Sequence, residues 1–473
     1  MNVEPLSQAP MNRRAFLLGA LAVTGASLLA ACGPSGGSSG GGGGQSAAQA
    51  PATPVAPASS IIFWHSMSGV NGDAVNRLID GFQQSQNKIT VQGIFQGTYD
   101  DSLAKLKTAL ASNSAPALIQ VYDIGQRFMI DSEEIVAMQD FVDRDKMALD
   151  DFEPAILNYY RVPDKLYSMP FNASSAILYY NKTAFKEAGL DPETPPKSLD
   201  EITSFAQKLV KRQGNDVAQY GFHWAIYGWL FEQFTAVSGA LFADNGNGRE
   251  SRATKVVFDT DKNKALLDWW QAGVSGGYFF NPGIDNDGSA NAFNAGKSAM
   301  YVESTARLRG HINTIQGKFD LGTGFFPRPS SPPADGGNLI GGASLYMMKS
   351  RPAAEQQAAW EFVKYVASPA AQAQWQADTG YFAIRKSSEN EAVAKDWTGK
   401  YPQFTTALNQ IRQAPQNRNT QGAVLGVFPQ ARSRVEKAIE SVLLGQAASD
   451  AALKSAAEEI NQAITNYNKS AKG

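Results

Sequence analysis

The chain has 473 residues, 43% of them hydrophobic and 18% charged, a composition typical of a folded protein with more than one lobe. With 42 lysines and arginines against 44 aspartates and glutamates, it has no basic excess for binding nucleic acid. One cysteine excludes an internal disulfide, and three histidines argue against a histidine-rich metal site. We therefore expect no cofactor, no metal and no nucleic-acid partner.

Residues 1–31 have the features of an export signal. The paired Arg13 and Arg14 precede an apolar stretch at 15–31, which is typical of the twin-arginine route. A transmembrane helix is the alternative, but the stretch is slightly short and rich in alanine and glycine. Leu29-Ala30-Ala31-Cys32 resembles the lipobox of bacterial lipoproteins. That resemblance implies cleavage before Cys32 and attachment of lipid to its sulfur.

Residues 32–60 are predicted to be the lipidated cysteine followed by a flexible linker. The segment is dominated by Gly, Ser, Ala, Pro and Gln and contains an unbroken glycine run at 40–44, so it has too little apolar surface to fold. The rest of the chain has no apolar run long enough to span a bilayer. We expect an extracytoplasmic monomer that is held at the membrane by its lipid alone.

From residue 61 onward, short apolar runs alternate with amphipathic helical patterns. Strands are predicted at 61–64, 117–122 and 176–180, and helices around 75–82, 103–110, 202–209, 359–366, 435–442 and 453–464. Ser198 and Glu201 form a capping box, and Ser368-Pro369 predicts another helix start. This order predicts an α/β fold with parallel strands and ligands beyond their carboxyl ends. Asp123, just past a strand, suits such a site, although a helix cap is the alternative.

No motif in the sequence indicates catalysis or nucleotide binding. Gly296-Lys297-Ser298 lacks the glycine of a phosphate loop five positions earlier, where Asn291 stands. Ser102 and Lys105 match only a common S-x-x-K spacing, and Asp285-Asn286-Asp287-Gly288 lacks the later ligands of a calcium loop. We therefore predict that the chain is not an enzyme.

Several body segments, taken in order, resemble the glycerol-3-phosphate-binding proteins of bacterial ABC importers, in family 1 of the extracellular solute-binding proteins. The similar segments lie at 63–67, 120–123, 170–174, 179–182, 188–192, 341–345, 379–381 and 429–432, and include Gly341-Gly342-Ala343-Ser344-Leu345 and Pro429-Gln430-Ala431-Arg432. The resemblance implies two lobes that close on a phosphorylated glycerol in the cleft. It also implies an importer permease and a separate ATPase as partners.

The resemblance also implies lobe boundaries and ligand contacts. The N-terminal lobe is expected at 61–171 plus 305–366 and the C-terminal lobe at 175–301 plus 369–473, with hinge crossings near 171–175, 301–304 and 366–369. The implied ligand-binding residues are Tyr99, Asp123, Ser174, Trp229, Ser304, Gly342, Tyr381 and Arg432.

The sequence departs from the family pattern at two places. The family's glutamate is Asp123 here, and its Trp-x-Gly-Trp segment is Ile226-Tyr227-Gly228-Trp229. The missing indole leads to the hypothesis of a larger head group, as in glycerophosphocholine, with aromatic residues facing a quaternary ammonium. Trp224 replaces the missing ring if the alignment is shifted.

The proposed charged contacts make chemical sense at opposite ends of a ligand. Pro429 predicts a helix start, and a cation at Arg432 in that first turn suits a bound anion better than it suits the helix dipole. Asp123 accepts hydrogen bonds from glyceryl hydroxyls, and because it would repel phosphate we expect it far from Arg432. A surface arginine is the alternative for Arg432.

The uncharged contacts have ordinary structural alternatives. Ser174 and Ser304 can donate hydroxyl protons or act as caps, and Gly342 allows close backbone approach or forms a turn. Tyr99, Tyr381 and Trp229 suit a cleft wall or core packing. The sequence therefore predicts capture of a glycerophosphodiester or sn-glycerol 3-phosphate. An oligosaccharide-binding protein and a lipid-anchored hydrolase are the alternatives.

Overall fold

The computed structural model describes residues 50–471. The expected signal peptide, Cys32 and most of the linker lie outside these residues. The end of the linker is attached to the body, because the Ala58 N–H donates to the carbonyl of Ala354 at 2.8 Å. No helix within 50–471 has both the length and the apolar character that a bilayer crossing needs.

Within the described residues, twelve strands form two sheets. They are β1 (Ser60–His65), β2 (Thr90–Phe95), β3 (Leu118–Tyr122), β4 (Ile135–Val136), β5 (Met169–Ser174), β6 (Ala176–Asn181), β7 (Lys211–Gln213), β8 (Asp216–Trp224), β9 (Phe279–Phe280), β10 (Ser298–Ser304), β11 (Leu321–Gly324) and β12 (Gly341–Met348). The predicted strands correspond to β1, β3 and β6. The sequence missed β2, which has only one buried residue, Val91, and hence no apolar run.

The first sheet has the order β2-β1-β3-β12-β4, with β5 also paired to β12. In it β1 runs parallel to β2 and β3, while β12 runs antiparallel to its neighbours. The second sheet has the order β11-β6-β10-β8-β7, with β9 paired to β8. Here β10 and β8 are parallel, and β6 runs antiparallel to β10. Each sheet therefore contains both parallel and antiparallel pairs. The antiparallel strands β6 and β12 are those at which the chain enters from the other sheet.

Helices cover the sheets. Within the described residues they are α1 (Gly69–Ser85), α2 (Tyr99–Ala111), α3 (Gln126–Asp131), α4 (Met138–Asp145), α5 (Pro154–Tyr160), α6 (Lys182–Glu187), α7 (Leu199–Leu209), α8 (Gly228–Val237), α9 (Asp244–Gly248), α10 (Asp261–Ser275), α11 (Asn286–Asn294), α12 (Leu308–Ile315), α13 (Ala353–Val366), α14 (Pro369–Thr379), α15 (Ala392–Lys400), α16 (Thr406–Gln413), α17 (Phe428–Leu443) and α18 (Ser449–Ser470). Of these, α9 is a single left-handed turn.

Both predicted helix starts have a serine cap, although Glu201 accepts from the Lys197 N–H and not from the Ser198 N–H that a full capping box requires. The Ser198 hydroxyl accepts from the Glu201 N–H at 3.2 Å at the start of α7. The Ser368 hydroxyl accepts from the Ala371 N–H at 3.4 Å, and Pro369 follows as the first residue of α14. These local contacts satisfy backbone donors that the first helical turn leaves free, which is why the sequence alone predicts them.

Two clusters of buried side chains hold the body together, and each draws on both sheets. One contains Ile119 of β3 and Phe222 of β8, and the other contains Phe63 of β1 and Tyr301 of β10. The chain crosses from β5 to β6 through the single residue Ser175, whose hydroxyl accepts from Gln410 Nε2 at 3.0 Å. The two lobes are thus joined by side-chain packing as well as by crossing strands.

The lobe boundaries expected from the sequence differ from the observed packing at two places. Strand β11 lies within 305–366 but pairs with β6 in the second sheet. Helix α14 lies within 369–473 but packs against α1 beside the first sheet, where Arg77 Nε contacts Asp378 Oδ2 at 2.9 Å. The expected boundaries divide the chain at the hinge crossings, whereas an element on either side of a crossing can pack with either sheet, which is why these two assignments differ.

The pairing of β12 with β5 requires glycine at position 342. Gly342 has a φ of +104°, and a Cβ there would lie 1.8 Å from the carbonyl oxygen of Asn172. We expect Gly342→Ala to lower the free energy of unfolding by about 3 kcal/mol or more, because backbone strain adds to the clash.

Gly399 in α15 is the matched control, since a Cβ there meets nothing within 4 Å. Gly399→Ala is expected to leave stability within about 1 kcal/mol of wild type. Urea denaturation of both variants measures the difference. Equal stability of the two variants would show that the β5–β12 pairing tolerates a side chain at 342.

Candidate functional site

A cavity of about 430 Å³ lies at the carboxyl ends of β1, β3, β5 and β10 and at the start of β12. It is lined by Ser66, Met67, Ser68, Gly69, Val70, Asn71, Tyr99, Tyr122, Asp123, Ser174, Tyr227, Trp229, Asn286, Asp287, Glu303, Ser304, Ala306, Arg307, Gly310, Gly342 and Tyr381. Its volume falls in the range of about 300–1,000 Å³ that is common for small-molecule sites. Both sheets contribute to its wall, as the strand-end rule predicts.

Seven of the eight residues expected from the sequence line this cavity: Tyr99, Asp123, Ser174, Trp229, Ser304, Gly342 and Tyr381. The eighth, Arg432, is buried behind the wall and touches the cavity's Asp123. The eight residues are therefore assembled around one place, although they span the chain from 99 to 432.

The position of Arg432 corrects one expectation. Its Nη2 donates to Asp123 Oδ2 at 2.9 Å and to Glu232 Oε2 at 3.0 Å, and its Nε donates to Glu232 Oε1 at 2.6 Å. Asp123 is thus the partner of Arg432 and does not lie at the far end from it. Asp123 was expected far from Arg432 because it would repel a phosphate bound there. A buried guanidinium, however, needs carboxylate partners of its own.

These three side chains form a buried acid–arginine–acid triad, each with at most 6% of the side chain exposed. Arg432 is the fifth residue of α17, and Gly228 at the start of α8 leaves room for it, because a Cβ there would lie 3.0 Å from Arg432 Cγ. The three hydrogen bonds use Nε and Nη2. Within the described residues Nη1 has no acceptor.

The triad's charges are unevenly balanced. Burial raises the pKa of Glu232 to about 7, against the opposing effect of Arg432. Burial alone lowers the pKa of Arg432, but the charges of Asp123 and Glu232 raise it well above the ordinary value. Two carboxylates share one guanidinium, and desolvation outweighs the attraction of Arg432 at Glu232.

The sequence reasoning missed three charged residues of the cavity, Asp287, Glu303 and Arg307. Arg307 follows β10 in a 3₁₀ turn, is 38% exposed at its side chain and contacts Asp287 Oδ1 at 2.5 Å. Glu303 is the next-to-last residue of β10 and accepts from the Ser304 N–H at 2.7 Å. The sequence analysis predicted no strand at 298–304, so the strand-end argument that selected Asp123 did not reach Glu303 and Arg307.

The hydroxyl groups of the wall are held in place by nearby polar groups. Asn172 Nδ2 donates to the Tyr99 phenol at 3.0 Å, and the Tyr99 ring stacks on Tyr122 with centroids 5.3 Å apart. Burial raises the pKa of Tyr99 and of Tyr381, so both phenols are neutral donors. The Ser304 hydroxyl accepts from the Ala306 N–H at 3.1 Å, which leaves its proton for another acceptor.

The aromatic wall differs from what the sequence suggested. Trp224 is buried against Trp270 and Phe326 and does not line the cavity, so it does not replace the missing ring. Ile226 is also buried away from the lining, whereas Tyr227 and Trp229 both contribute to it. Tyr227 therefore supplies a second ring beside Trp229, with centroids 6.0 Å apart.

Comparison with known proteins places the chain in one family. The family profile described as bacterial extracellular solute-binding protein matches residues 77–406. The sn-glycerol-3-phosphate-binding periplasmic protein UgpB of Pectobacterium atrosepticum is 32% identical over 424 residues, which cover 88% of this chain and 93% of that protein. UgpB of Escherichia coli K12 is also 32% identical, over 420 residues that cover 88% of this chain and 94% of that protein.

Solved structures show the same fold. UgpB from Mycobacterium tuberculosis in complex with glycerophosphocholine has a TM-score of 0.74 at 23% identity, covering 86% of this chain and 99% of that one. The GacH receptor of Streptomyces glaucescens, solved unliganded and with acarbose, has a TM-score of 0.72 at 18% identity, with coverage of 86% and 99%. The fold is therefore the two-lobed α/β architecture of periplasmic binding proteins. The chain belongs to the bacterial extracellular solute-binding protein family, whose members bind solutes for ABC importers and are not enzymes.

Proposed function

We propose that the protein captures a phosphorylated glycerol, either sn-glycerol 3-phosphate or a glycerophosphodiester, and delivers it to an importer permease. The observation that carries the proposal is the guanidinium of Arg307 in the lining of the cavity, which Ser174 and Ser304 also line. Guanidinium and hydroxyl donors suit phosphate oxygens, and Asp123 suits glyceryl hydroxyls. The two UgpB relatives at 32% identity support this ligand class.

A bound ligand of this kind would contact both lobes. Asp123 follows β3 of the first sheet, whereas Ser304 ends β10 of the second. Contacts made from both sides at once exist only when the lobes are closed, so binding favours closure. The energy for import then comes from a separate ATPase partner.

An oligosaccharide is the second candidate ligand. The acarbose complex of the GacH receptor shares the fold, but at 18% identity the likeness concerns the fold alone. A neutral sugar makes no use of a guanidinium in the cavity, which is why we favour the phosphorylated ligand.

The first test is a ligand panel on the purified protein. We expect sn-glycerol 3-phosphate or glycerophosphocholine to raise the melting temperature, because a ligand that binds only the folded form stabilises it. Maltotriose at the same concentration is expected to leave it unchanged. A shift with maltotriose and none with either phosphorylated glycerol would favour the sugar-binding alternative.

The second test replaces the cavity's guanidinium. We expect Arg307→Gln to weaken binding of sn-glycerol 3-phosphate about tenfold or more by calorimetry, because a charge-assisted contact to phosphate is lost. Arg432 is unsuitable for this purpose, since its removal leaves two buried carboxylates without a cation.

Arg309 provides the matched control for Arg307. It lies two residues further on, donates to the Ala377 carbonyl at 3.2 Å and packs over the Trp397 ring, away from the cavity lining. Arg309→Gln is expected to keep wild-type affinity. Equal affinity of the Arg307 and Arg309 variants would remove Arg307 from the ligand site.

We also propose that the mature protein is tethered to the membrane through lipid on Cys32, after export by the twin-arginine route. The lipobox-like Leu29-Ala30-Ala31-Cys32 supports this anchor. In cells fed labelled palmitate, we expect label in the wild-type chain and none in Cys32→Ser. Equal labelling of the two chains would contradict the anchor at this residue.

A further inference from the structure

Glu303 is a carboxylate in the cavity that lacks a cationic partner. The other two carboxylates of the lining are paired, Asp123 with Arg432 at 2.9 Å and Asp287 with Arg307 at 2.5 Å. Within residues 50–471, no arginine or lysine nitrogen lies within ion-pair distance of the Glu303 carboxylate. Only 3% of Glu303 is exposed, so solvent compensates its charge poorly.

The hydrogen bonding of Glu303 is also incomplete. Its Oε1 accepts from the Ser304 N–H, while its Oε2 has no donor in the described part of the chain. Burial raises the pKa of Glu303, and the charge of Arg307 and the Ser304 N–H act against that rise. A carboxylate buried in this way is costly unless a further group approaches it. Because Glu303 lines the cavity, a ligand can supply that group.

The charge of the cavity indicates what kind of group this is. The lining holds three carboxylates and one guanidinium, so a free phosphate monoester would add negative charge to an existing surplus. A zwitterionic ligand adds no net charge and places a cation against the unpaired carboxylate. The rings of Tyr227, Trp229 and Tyr381 line the same cavity, and aromatic rings attract quaternary ammonium groups.

On the basis of the proposed function, we propose that Glu303 is the counter-ion for a cationic head group, which makes a zwitterionic glycerophosphodiester the preferred ligand. Glycerophosphocholine and glycerophosphoethanolamine have this chemistry. Arg307 then faces the phosphodiester, while Glu303 and the rings face the ammonium. Glu303 determines which phosphorylated glycerol binds most tightly, whereas other residues bind the phosphate itself.

A matched pair of diesters tests this role. Calorimetry would compare glycerophosphocholine with glycerophosphoglycerol, which keeps the phosphodiester and has a neutral head group. We expect wild type to bind the choline diester about tenfold tighter or more, and Glu303→Gln to remove most of that preference by weakening the choline diester alone.

Glu436 offers the control for the same chemical change. It accepts from the Gly228 N–H at 2.9 Å near the cavity without lining it. Glu436→Gln is expected to keep the wild-type ratio of the two affinities. Thermal denaturation without ligand checks that both variants are folded.

The outcomes separate the two proposals. Failure of wild type to bind either diester or sn-glycerol 3-phosphate would overturn the proposed function itself. Binding of both diesters with equal affinity, or an unchanged ratio in Glu303→Gln, would overturn the role of Glu303 and leave phosphorylated-glycerol capture intact. If Glu303→Gln does not fold, the wild-type ratio decides, since a missing preference for the choline diester contradicts the inference.

Discussion

The buried triad of Asp123, Arg432 and Glu232 is the constraint on which the site depends. It joins a carboxylate that follows β3 of the first sheet to a guanidinium on α17 and a carboxylate on α8. Taking these charges out of water is costly, and removing the shared cation would cost about 3–5 kcal/mol because two carboxylates would stay buried and unpaired. Arg432 therefore has a structural role before it has a role toward any ligand.

The triad determines which charges remain for the cavity. The Nε and Nη2 groups of Arg432 donate to Glu232 and Asp123. Arg307 is therefore the guanidinium that lines the cavity directly. The raised pKa of Glu232, about 7, means that its protonated form contributes stability below about pH 4.5 and that this contribution is lost as the pH rises through 7. Within the described residues, Glu303 is then the carboxylate of the cavity lining that has no ion-pair partner.

The sequence predicts what depends on neighbouring residues and misses what depends on distant ones. The strands β1, β3 and β6 and the caps at Ser198 and Ser368 follow from local patterns. The family resemblance also implied seven residues that line one cavity. By contrast, Arg432 and Asp123 are 309 positions apart, and no periodicity indicates that they meet. The pairing of β11 with β6 in the second sheet was missed for the same reason, because the two strands are distant in the chain and meet only in the folded protein.

The structure still favours a larger head group, but the reason lies in a charge of the cavity and not in its aromatic wall. From the sequence, a larger head group was inferred from volume, because Ile226 stands where relatives have an indole. Ile226 is buried outside the lining, and Tyr227 supplies a ring at the wall, so volume at that position is a weak reason. Volume also admits any head group of suitable size, whereas an unpaired carboxylate discriminates by charge. Because charge separates ligands that have the same shape, Glu303 is a stronger basis for specificity than the missing indole.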